Sequence, residues 1–154
     1  MSTFARTGRA LASGLAGAAT VNLLNEGVRQ FLPTAPRLDL LGERGIKKLF
    51  HRAGATPPRG RALYGTALAA DIASNALYYA LVEPGRRPRR WWRGALLGTA
   101  AGAGAVLLAP KLGLGKAPVA KTTTTKALSV LWYLAGGLAA AGVAQALTRE
   151  PKPA

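Results

Sequence analysis

The sequence predicts an all-α, polytopic membrane protein: a four-helix transmembrane bundle with a short basic amphipathic helix in its first loop. Of the 154 residues, 49% are hydrophobic, which suits a chain with several apolar helices. The apolar residues fall into four segments that carry almost no charge. The 21 Lys and Arg residues, against only 6 Asp and Glu, gather between these segments, as expected at the ends of membrane helices. Residues 1–154 are therefore predicted to form a single membrane domain.

The four apolar segments are predicted to span the membrane at about residues 10–32, 61–82, 92–110 and 126–148. Each is close to the roughly 20 residues that cross a bilayer core as a helix. The segments are rich in Ala and Gly rather than Leu and Ile, so each is only marginally hydrophobic, and a soluble Ala-rich bundle is the alternative fold. The loops on both sides are basic, so the charges leave the orientation open.

The first segment also has features of a secretory signal peptide. Arg6 and Arg9 precede an apolar run that contains the small-residue sequence AGA at 16–18. A cleaved signal leads to a polar mature domain, whereas three further apolar segments follow here. We therefore expect the first span to be retained.

The first loop contains a predicted helix at about residues 38–53, with prolines on both sides. Leu38 and Leu49 belong to an apolar set at helical spacing, while Lys47 and Lys48 occupy other faces. Two arrangements are open for this basic amphipathic helix. Either it lies flat on the membrane with its cations toward anionic headgroups, or it packs as a cap over the end of the bundle.

The second loop, EPGRRPRRWWRG, carries five arginines in eight positions beside two tryptophans. Runs of this kind contact nucleic acid in some basic proteins, but directly beside a membrane span they are typical of an orientation and headgroup signal. We therefore expect lipid headgroups, and no nucleic acid, as the partner. The residues predicted to bind anionic headgroups are Arg86, Arg87, Arg89, Arg90, Arg93, Lys47 and Lys48.

Glycines in the third and fourth spans predict close helix packing. Gly94, Gly98 and Gly102 recur every fourth residue on one face of the third span. Gly136 and Gly137 begin similar small-residue pairs in the fourth span. Because glycine lets a neighbouring backbone approach closely and gain dispersion contacts, these five residues are the predicted helix-packing positions.

Polar residues inside the first two spans form the remaining predicted site. Asp71 interrupts the apolar run of the second span and shares a helix face with Ser74 and Asn75. Antiparallel pairing brings polar residues of the first span to a similar depth. The predicted intramembrane polar cluster consists of Asn22, Asn25, Glu26, Asp71, Ser74 and Asn75.

This polar cluster has two interpretations. Ionisable residues inside a membrane often mark an ion, proton or solute pathway, which makes Asp71 and Glu26 candidate transport groups. Alternatively, the Asp71 carboxyl is neutral and the cluster joins two helices by hydrogen bonds. The polar face ends at Ala67 and Tyr64 on one side of Asp71, which favours a closed structural site over a pore.

Sets of catalytic or cofactor-binding residues do not stand out in the sequence. The chain has no cysteine and a single histidine, His51, which excludes thiolate chemistry and histidine metal clusters. GLGK at 113–116 lacks the first glycine and the hydroxyl residue of a phosphate-binding loop. We therefore predict no enzyme activity, no cofactor and no metal.

Four stretches of the chain are similar to a known group of proteins. They are PRLDLLGERGIKKLFHRAG, LAADIASNALYYALV, RGALLGTAAGAGAVLLAPKLGLGKAP and LWYLAGGLAAAG. In order and composition they resemble uncharacterised small bacterial four-span integral membrane proteins, over residues from about Gly14 to Gly142. The resemblance implies a compact bacterial four-span protein. It implies no catalytic residue, because no activity is assigned to that group.

Together these features predict a multi-pass protein of the bacterial inner (cytoplasmic) membrane that acts as a structural, accessory or partner-binding subunit. The expected partners are membrane lipids with anionic headgroups, and either another membrane protein or a second copy of the chain. The alternative is a small transporter or channel component that uses Asp71 and Glu26. A basic, soluble, helical nucleic-acid-binding protein is the third and least favoured interpretation.

Overall fold

The computed structural model describes residues 3–83 and 87–148, and within these ranges it contains helices and their connections only. The predicted all-α class is thereby confirmed. A four-residue helix, α5, has no counterpart among the predicted segments. The helices are α1 (Thr3–Val28), α2 (Leu38–Arg52), α3 (Gly60–Ala80), α4 (Arg87–Lys111), α5 (Ala117–Ala120) and α6 (Thr123–Ala146).

Two of these helices are long and apolar enough to cross a membrane. They are Arg89–Lys111, within α4, and Thr123–Ala146, which is α6, with mean hydropathies of 1.2 and 1.7. α1 and α3 have comparable lengths of 26 and 21 residues, but neither contains an uninterrupted stretch as apolar as those of α4 and α6. By length and composition, the structure thus contains two candidate membrane-spanning helices.

α1 and α6 form the middle of the bundle. α6 packs along α4 on one side and along α1 on the other, and α1 also packs along α3. α3 makes much smaller contacts with α4 and α6. α1 and α3 run antiparallel, because Gly14 faces Ala76 and Ala80, whereas Asn22, later in α1, contacts Asp71, earlier in α3.

The bundle has two unlike ends. At one end the last turns of α1 and α4 meet the first turns of α3 and α6; we call this the capped end, because α2 and α5 lie over it. The other end holds the first turns of α1 and α4 and the last turns of α3 and α6. We call it the arginine end, because the buried residue Arg90 lies there.

α2 is attached to the capped end along its first half. Leu38 is buried, Leu41 packs against the core, and Gly42 lies against Ala67 of α3. Leu49, in the second half, is 62% exposed. Of the two arrangements predicted for this helix, the structure therefore has the cap, with an apolar side chain still displayed at the surface.

The α4–α6 interface is a contact of backbone against backbone. A Cβ atom added at Gly98 would lie 2.5 Å from the carbonyl oxygen of Tyr133, and one added at Gly102 would lie 2.6 Å from the α6 backbone. Gly94 and Gly137 face each other further along the same interface. Four of the predicted packing glycines therefore lie where any side chain would collide with the neighbouring helix.

Gly136, the fifth predicted packing residue, lies at a second glycine contact, between α6 and α1. A Cβ atom on Gly136 would lie 2.9 Å from the carbonyl oxygen of Gly17, and one on Gly17 would lie 2.8 Å from the ring of Tyr79. Tyr79 is fully buried, and its hydroxyl donates a hydrogen bond to the carbonyl oxygen of Tyr133 at 2.6 Å. The two glycines thus make room for a large side chain that α3 inserts between α1 and α6.

Candidate functional site

The polar cluster is centred on Asp71, near the middle of α3. Its two carboxylate oxygens accept one amide N–H each, from Asn22 of α1 at 2.8 Å and from Asn75 of α3 at 3.0 Å. The amide nitrogen of Asn22 also donates to the carbonyl oxygen of Ala18 at 3.0 Å, which fixes its orientation. Among the described residues, none of the salt bridges involves Asp71. The Asp71 carboxyl is therefore held by neutral donors on two helices.

Two other residues of the predicted cluster lie away from the Asp71 carboxyl. Ser74 is exposed, and its hydroxyl donates to the backbone oxygen of Asp71 at 3.1 Å. Asn25 is 2% exposed, and its side-chain oxygen accepts the backbone N–H of Leu38 at 3.2 Å. Because Leu38 is the first residue of α2, that N–H has no partner within its own helix. Asn25 thus attaches α2 to α1.

Glu26 belongs to a chain of ion pairs at the capped end. Its Oε2 atom lies 2.5 Å from Nη2 of Arg29, and Nη1 of Arg29 lies 3.1 Å from Oδ2 of Asp39. Oδ2 of Asp39 also accepts a hydrogen bond from Nη2 of Arg37 at 2.7 Å. The sequence grouped Glu26 with Asp71 and Asn25; in the structure Glu26 accepts a hydrogen bond from Asn25 at 3.4 Å and also has a cation partner near the end of α1. Glu26 and Arg29 are three residues apart at the end of the first apolar segment, and this spacing is the signal that predicts the pair.

The charges around Asp39 favour its ionised form. Burial opposes ionisation, but the hydrogen bonds and positive charge of Arg37 and the charge of Arg29 outweigh it and hold the pKa of Asp39 below its ordinary value. The hydrogen bond to Asp39 also raises the pKa of Arg37. Since Asp39 lies in α2 and Arg29 follows α1, this ionised group is a second attachment of α2 to α1.

A small cavity lies between α1, α2 and α3 and joins the two polar groups. Its volume is about 20 Å³, enough for about one water molecule and far too small for an organic solute. The acidic residues Asp71, Glu26 and Asp39 all lie along its wall, so a water molecule there has polar partners. The lining residues are Asn22, Asn25, Glu26, Leu38, Asp39, Gly42, Tyr64, Ala67, Leu68 and Asp71.

On the side of Asp71 that faces the arginine end, the polar face of α3 ends in two tyrosines. The hydroxyl of Tyr78 donates to the carbonyl oxygen of Leu97 in α4 at 2.9 Å, and that of Tyr79 donates to α6 as described above. Both hydroxyls are therefore used in backbone hydrogen bonds between helices. Their rings fill the space between α3 and its neighbours.

The arginine end contains a buried ion-pair group that the sequence did not predict. Nε of Arg90 donates to the backbone oxygen of Glu83 at 3.0 Å. Nη1 donates to the carbonyl oxygen of Ala144 at 3.1 Å and to the hydroxyl of Thr148 at 2.6 Å. The Glu83 carboxylate lies 3.7 Å from Nη2 of Arg90 and 3.4 Å from Nε of Arg9. One guanidinium thus joins α4, the end of α3 and the end of α6.

The position of Arg90 corrects its predicted headgroup role. With 6% of its surface exposed, its guanidinium is used inside the protein, where it satisfies a carbonyl group in the last turn of α6. The sequence gives no local sign of this, because Ala144 is distant along the chain and carries no polar side chain.

The other predicted headgroup arginines of α4 lie at the surface. Arg89 and Arg93 are exposed and line an open hollow together with Leu96 and Trp92, whose side chain is 79% exposed. A cationic rim beside an indole ring and an apolar side chain is typical of the membrane interface. Arg86 and the side chain of Arg87 lie outside the described residues.

The two predicted headgroup lysines of α2 differ from each other. Lys47 is exposed. Lys48 is half-buried, and its ammonium group donates to the carbonyl oxygen of Leu112, just after α4. Lys48 therefore also attaches α2 to the segment that follows α4.

Comparisons with protein-family models, with curated proteins and with solved structures found no match for the chain. In residues 3–83 and 87–148, no three His, Cys, Asp or Glu side chains form a group that could hold a metal ion. The chemistry of the described site is hydrogen bonding and ion pairing between helices.

Proposed function

We propose that the chain is an integral membrane protein of the bacterial cytoplasmic membrane with four spanning helices, α1, α3, α4 and α6, and that it acts as a structural, accessory or partner-binding subunit. The observation that carries this proposal is the exposure of large apolar side chains on all four long helices. Exposing such a surface to water is unfavourable in free energy, whereas contact with apolar lipid tails is not. Exposed leucines within the helices include Leu15 and Leu23 in α1, Leu77 in α3, Leu96 and Leu107 in α4, and Leu131 in α6.

The polar groups of α1 and α3 support membrane insertion of these two less apolar helices. Asp71, Asn22 and Asn75 bond one another between the helices. The hydroxyls of Tyr78 and Tyr79 bond backbone oxygens of α4 and α6. Polar side chains in a bilayer are tolerated when they have partners of this kind inside the bundle.

A structural role for Asp71 is favoured by the geometry around it. Both carboxylate oxygens have an amide donor, and the adjoining cavity of about 20 Å³ admits no solute. The position of the same cavity supports the second candidate function, transport. The cavity extends from Asp71 to Glu26 and Asp39 at the capped end, so water in the cavity would lie beside three carboxyl groups, the kind of residue that forms proton pathways in membranes. The second candidate is therefore restricted to protons.

The number of spans is testable because the chain has no cysteine, so single cysteines can be introduced one at a time. Gly8→Cys, Ala55→Cys and Lys121→Cys all lie at exposed positions, in α1 near the arginine end, after α2, and after α5. The measurement is labelling of intact cells and of lysed cells by a membrane-impermeant maleimide.

Four spans place Ala55→Cys and Lys121→Cys on the same side of the membrane and Gly8→Cys on the other. Two spans, α4 and α6 alone, place Ala55→Cys with Gly8→Cys instead. Recovery of the protein in the soluble fraction after alkaline carbonate extraction would contradict the membrane proposal itself and favour the basic soluble bundle instead.

A further inference from the structure

α2 and the segment after α4 form a basic groove at the capped end. Its first hollow has a volume of about 520 Å³. Five of its six lining residues are Lys, Arg or His, and no carboxylate contributes to the wall. The hollow therefore attracts an anion. Its lining is Arg44, Lys47, Lys48, His51, Arg52 and Gly113.

A second hollow, of about 290 Å³, lies directly beside the first and shares Lys48 and Arg52 with it. Leu49 and Leu112 lie along this hollow and are 62% and 56% exposed. Lys111 adds a further cation to its rim. The groove thus combines a cationic hollow with an apolar one, which suits a ligand with an anionic head and an apolar body.

Contacts between α2 and the glycine-containing segment after α4 build the groove. Lys48 donates to the carbonyl oxygen of Leu112, and Nη1 of Arg44 donates to that of Leu114 at 2.7 Å. Gly113 has a φ of +71°, and a Cβ atom there would lie 2.8 Å from Nζ of Lys48. The positive φ favours glycine at this position, and the absence of a side chain leaves room for the Lys48 ammonium group. Each cation uses one N–H in these bonds and keeps others for a ligand.

The depth of the groove identifies the source of the anion. Lys111 is the last residue of the candidate span Arg89–Lys111, so the groove begins where the chain leaves the bilayer core. Phosphate groups of lipids lie at that level. This step rests on the proposed membrane insertion.

We propose that the groove binds one anionic phospholipid, with its phosphate in the basic hollow and the first part of its acyl chains over Leu49 and Leu112. The cations at the wall provide the charge complementarity. A free phosphate would use the basic hollow alone and leave the apolar one without a role. Nucleic acid would likewise make no use of the exposed leucines.

The test measures lipid binding by the protein extracted from membranes in mild detergent. Phosphatidylglycerol and, separately, phosphatidylcholine are titrated in and the bound lipids are counted by native mass spectrometry. Lys47→Gln/Arg52→Gln removes two exposed cations of the groove. Arg59→Gln/Lys121→Gln is the matched control, because it removes the same charge from exposed positions at the same end of the bundle, outside the groove.

We expect the wild type to bind one phosphatidylglycerol at least tenfold more tightly than phosphatidylcholine. A cation near a lipid surface contributes about a factor of five in affinity, so the groove variant should bind phosphatidylglycerol about twenty- to thirtyfold more weakly. The control variant should stay within twofold of the wild type. Leu49→Ala should weaken phosphatidylglycerol binding and leave the binding of inorganic phosphate unchanged.

Equal lipid binding by the groove and control variants would overturn the proposal, and so would inorganic phosphate or a short oligonucleotide binding as tightly as the lipid. If Lys47→Gln/Arg52→Gln does not fold, two measurements still test the proposal: the preference of the wild type for phosphatidylglycerol over phosphatidylcholine, and the binding of lipid and of inorganic phosphate by Leu49→Ala. Membrane fractionation is recorded first for every variant. A soluble protein contradicts the proposed function, whereas a membrane protein without the lipid preference contradicts the groove alone.

Discussion

The guanidinium of Arg90 in α4 donates a hydrogen bond to the carbonyl oxygen of Ala144 in α6, 3.1 Å away and 54 residues further along the chain. The last carbonyl groups of a helix have no partner in their own helix. Arg90 provides one for α6 and at the same time lies beside the carboxylate of Glu83 at the end of α3. A single side chain therefore connects α4 to the ends of α3 and α6.

Arg90→Gln should destabilise the protein strongly. It leaves the carboxylate of Glu83, 5% exposed, with Arg9 as its remaining cation partner, and it removes the guanidinium bond to the carbonyl oxygen of Ala144; a hydrogen bond to a charged group contributes roughly 1.5–3 kcal/mol. Thermal unfolding in detergent measures the effect. Arg89→Gln, at an exposed neighbouring position, is the control and should change the free energy of unfolding by less than about 0.5 kcal/mol. The double variant Arg90→Gln/Glu83→Gln should lose less stability than the sum of the two single losses; strictly additive losses would contradict the assigned pair.

Asp71→Asn separates the structural role of the cluster from proton transport. Asparagine keeps the size and the hydrogen-bonding capacity of the side chain, so a structural role leaves thermal stability within about 1 kcal/mol of the wild type. Asp71→Leu leaves the amides of Asn22 and Asn75 without this partner and should cost roughly 1–2 kcal/mol. Proton flux is measured in proteoliposomes in parallel. A flux present in the wild type and lost in a stable Asp71→Asn protein would favour the transport candidate.

Gly98→Ala should lower stability although alanine is the better helix former. The added methyl group would lie 2.5 Å from the carbonyl oxygen of Tyr133, so α4 and α6 must separate, and such overpacking costs roughly 1–3 kcal/mol. Gly65→Ala in α3 is the matched control, because nothing lies within 4 Å of its added Cβ. There, helix propensity alone acts and stability should stay the same or rise by up to about 1 kcal/mol. The same unfolding temperature for both variants would show that α4 and α6 are not in contact at this depth.

The ion pairs of Asp39 should make the attachment of α2 sensitive to acid. The folded-state pKa of Asp39 lies below its ordinary value of 3.8, so its contribution is present above about pH 4 and is lost as the pH falls through the folded pKa. We expect Asp39→Asn to lower the unfolding temperature relative to the wild type at pH 6. The gap between the two proteins should narrow as the pH falls below 4. A gap of constant size from pH 6 down to pH 3 would show that the charge of Asp39 contributes nothing.

The sequence was sufficient for some parts of the site. The apolar segments and the breaks between them predict that the first two long helices are antiparallel. Counting residues from the middle of each helix then places Asn22 beside Asp71. The five packing glycines follow from their spacing alone. These features depend only on helix periodicity and on the order of the helices, and both can be read from short stretches of sequence.

Other contacts could not be predicted because they depend on the path of a loop or on the rotation of a helix. Asn25 meets the backbone N–H of Leu38 only because residues 29–37 fold back over the end of α1. The burial of Arg90, in a run of five similar arginines, is decided by which side of α4 faces the end of α6. α5 was missed because four residues carry no periodic pattern.

The insertion of Tyr79 between Gly17 and Gly136 limits how this bundle can move. Its ring is bounded by a glycine of α1 and a glycine of α6, and its hydroxyl is bonded to α6. If α3 slid along its axis by one residue, about 1.5 Å, the ring would leave the space that the two glycines provide and meet residues with side chains. α3 therefore cannot shift along its axis without moving α1 and α6 with it or repacking Tyr79. The packing of Tyr79 thus opposes a piston-like displacement of any one of these three helices against the other two.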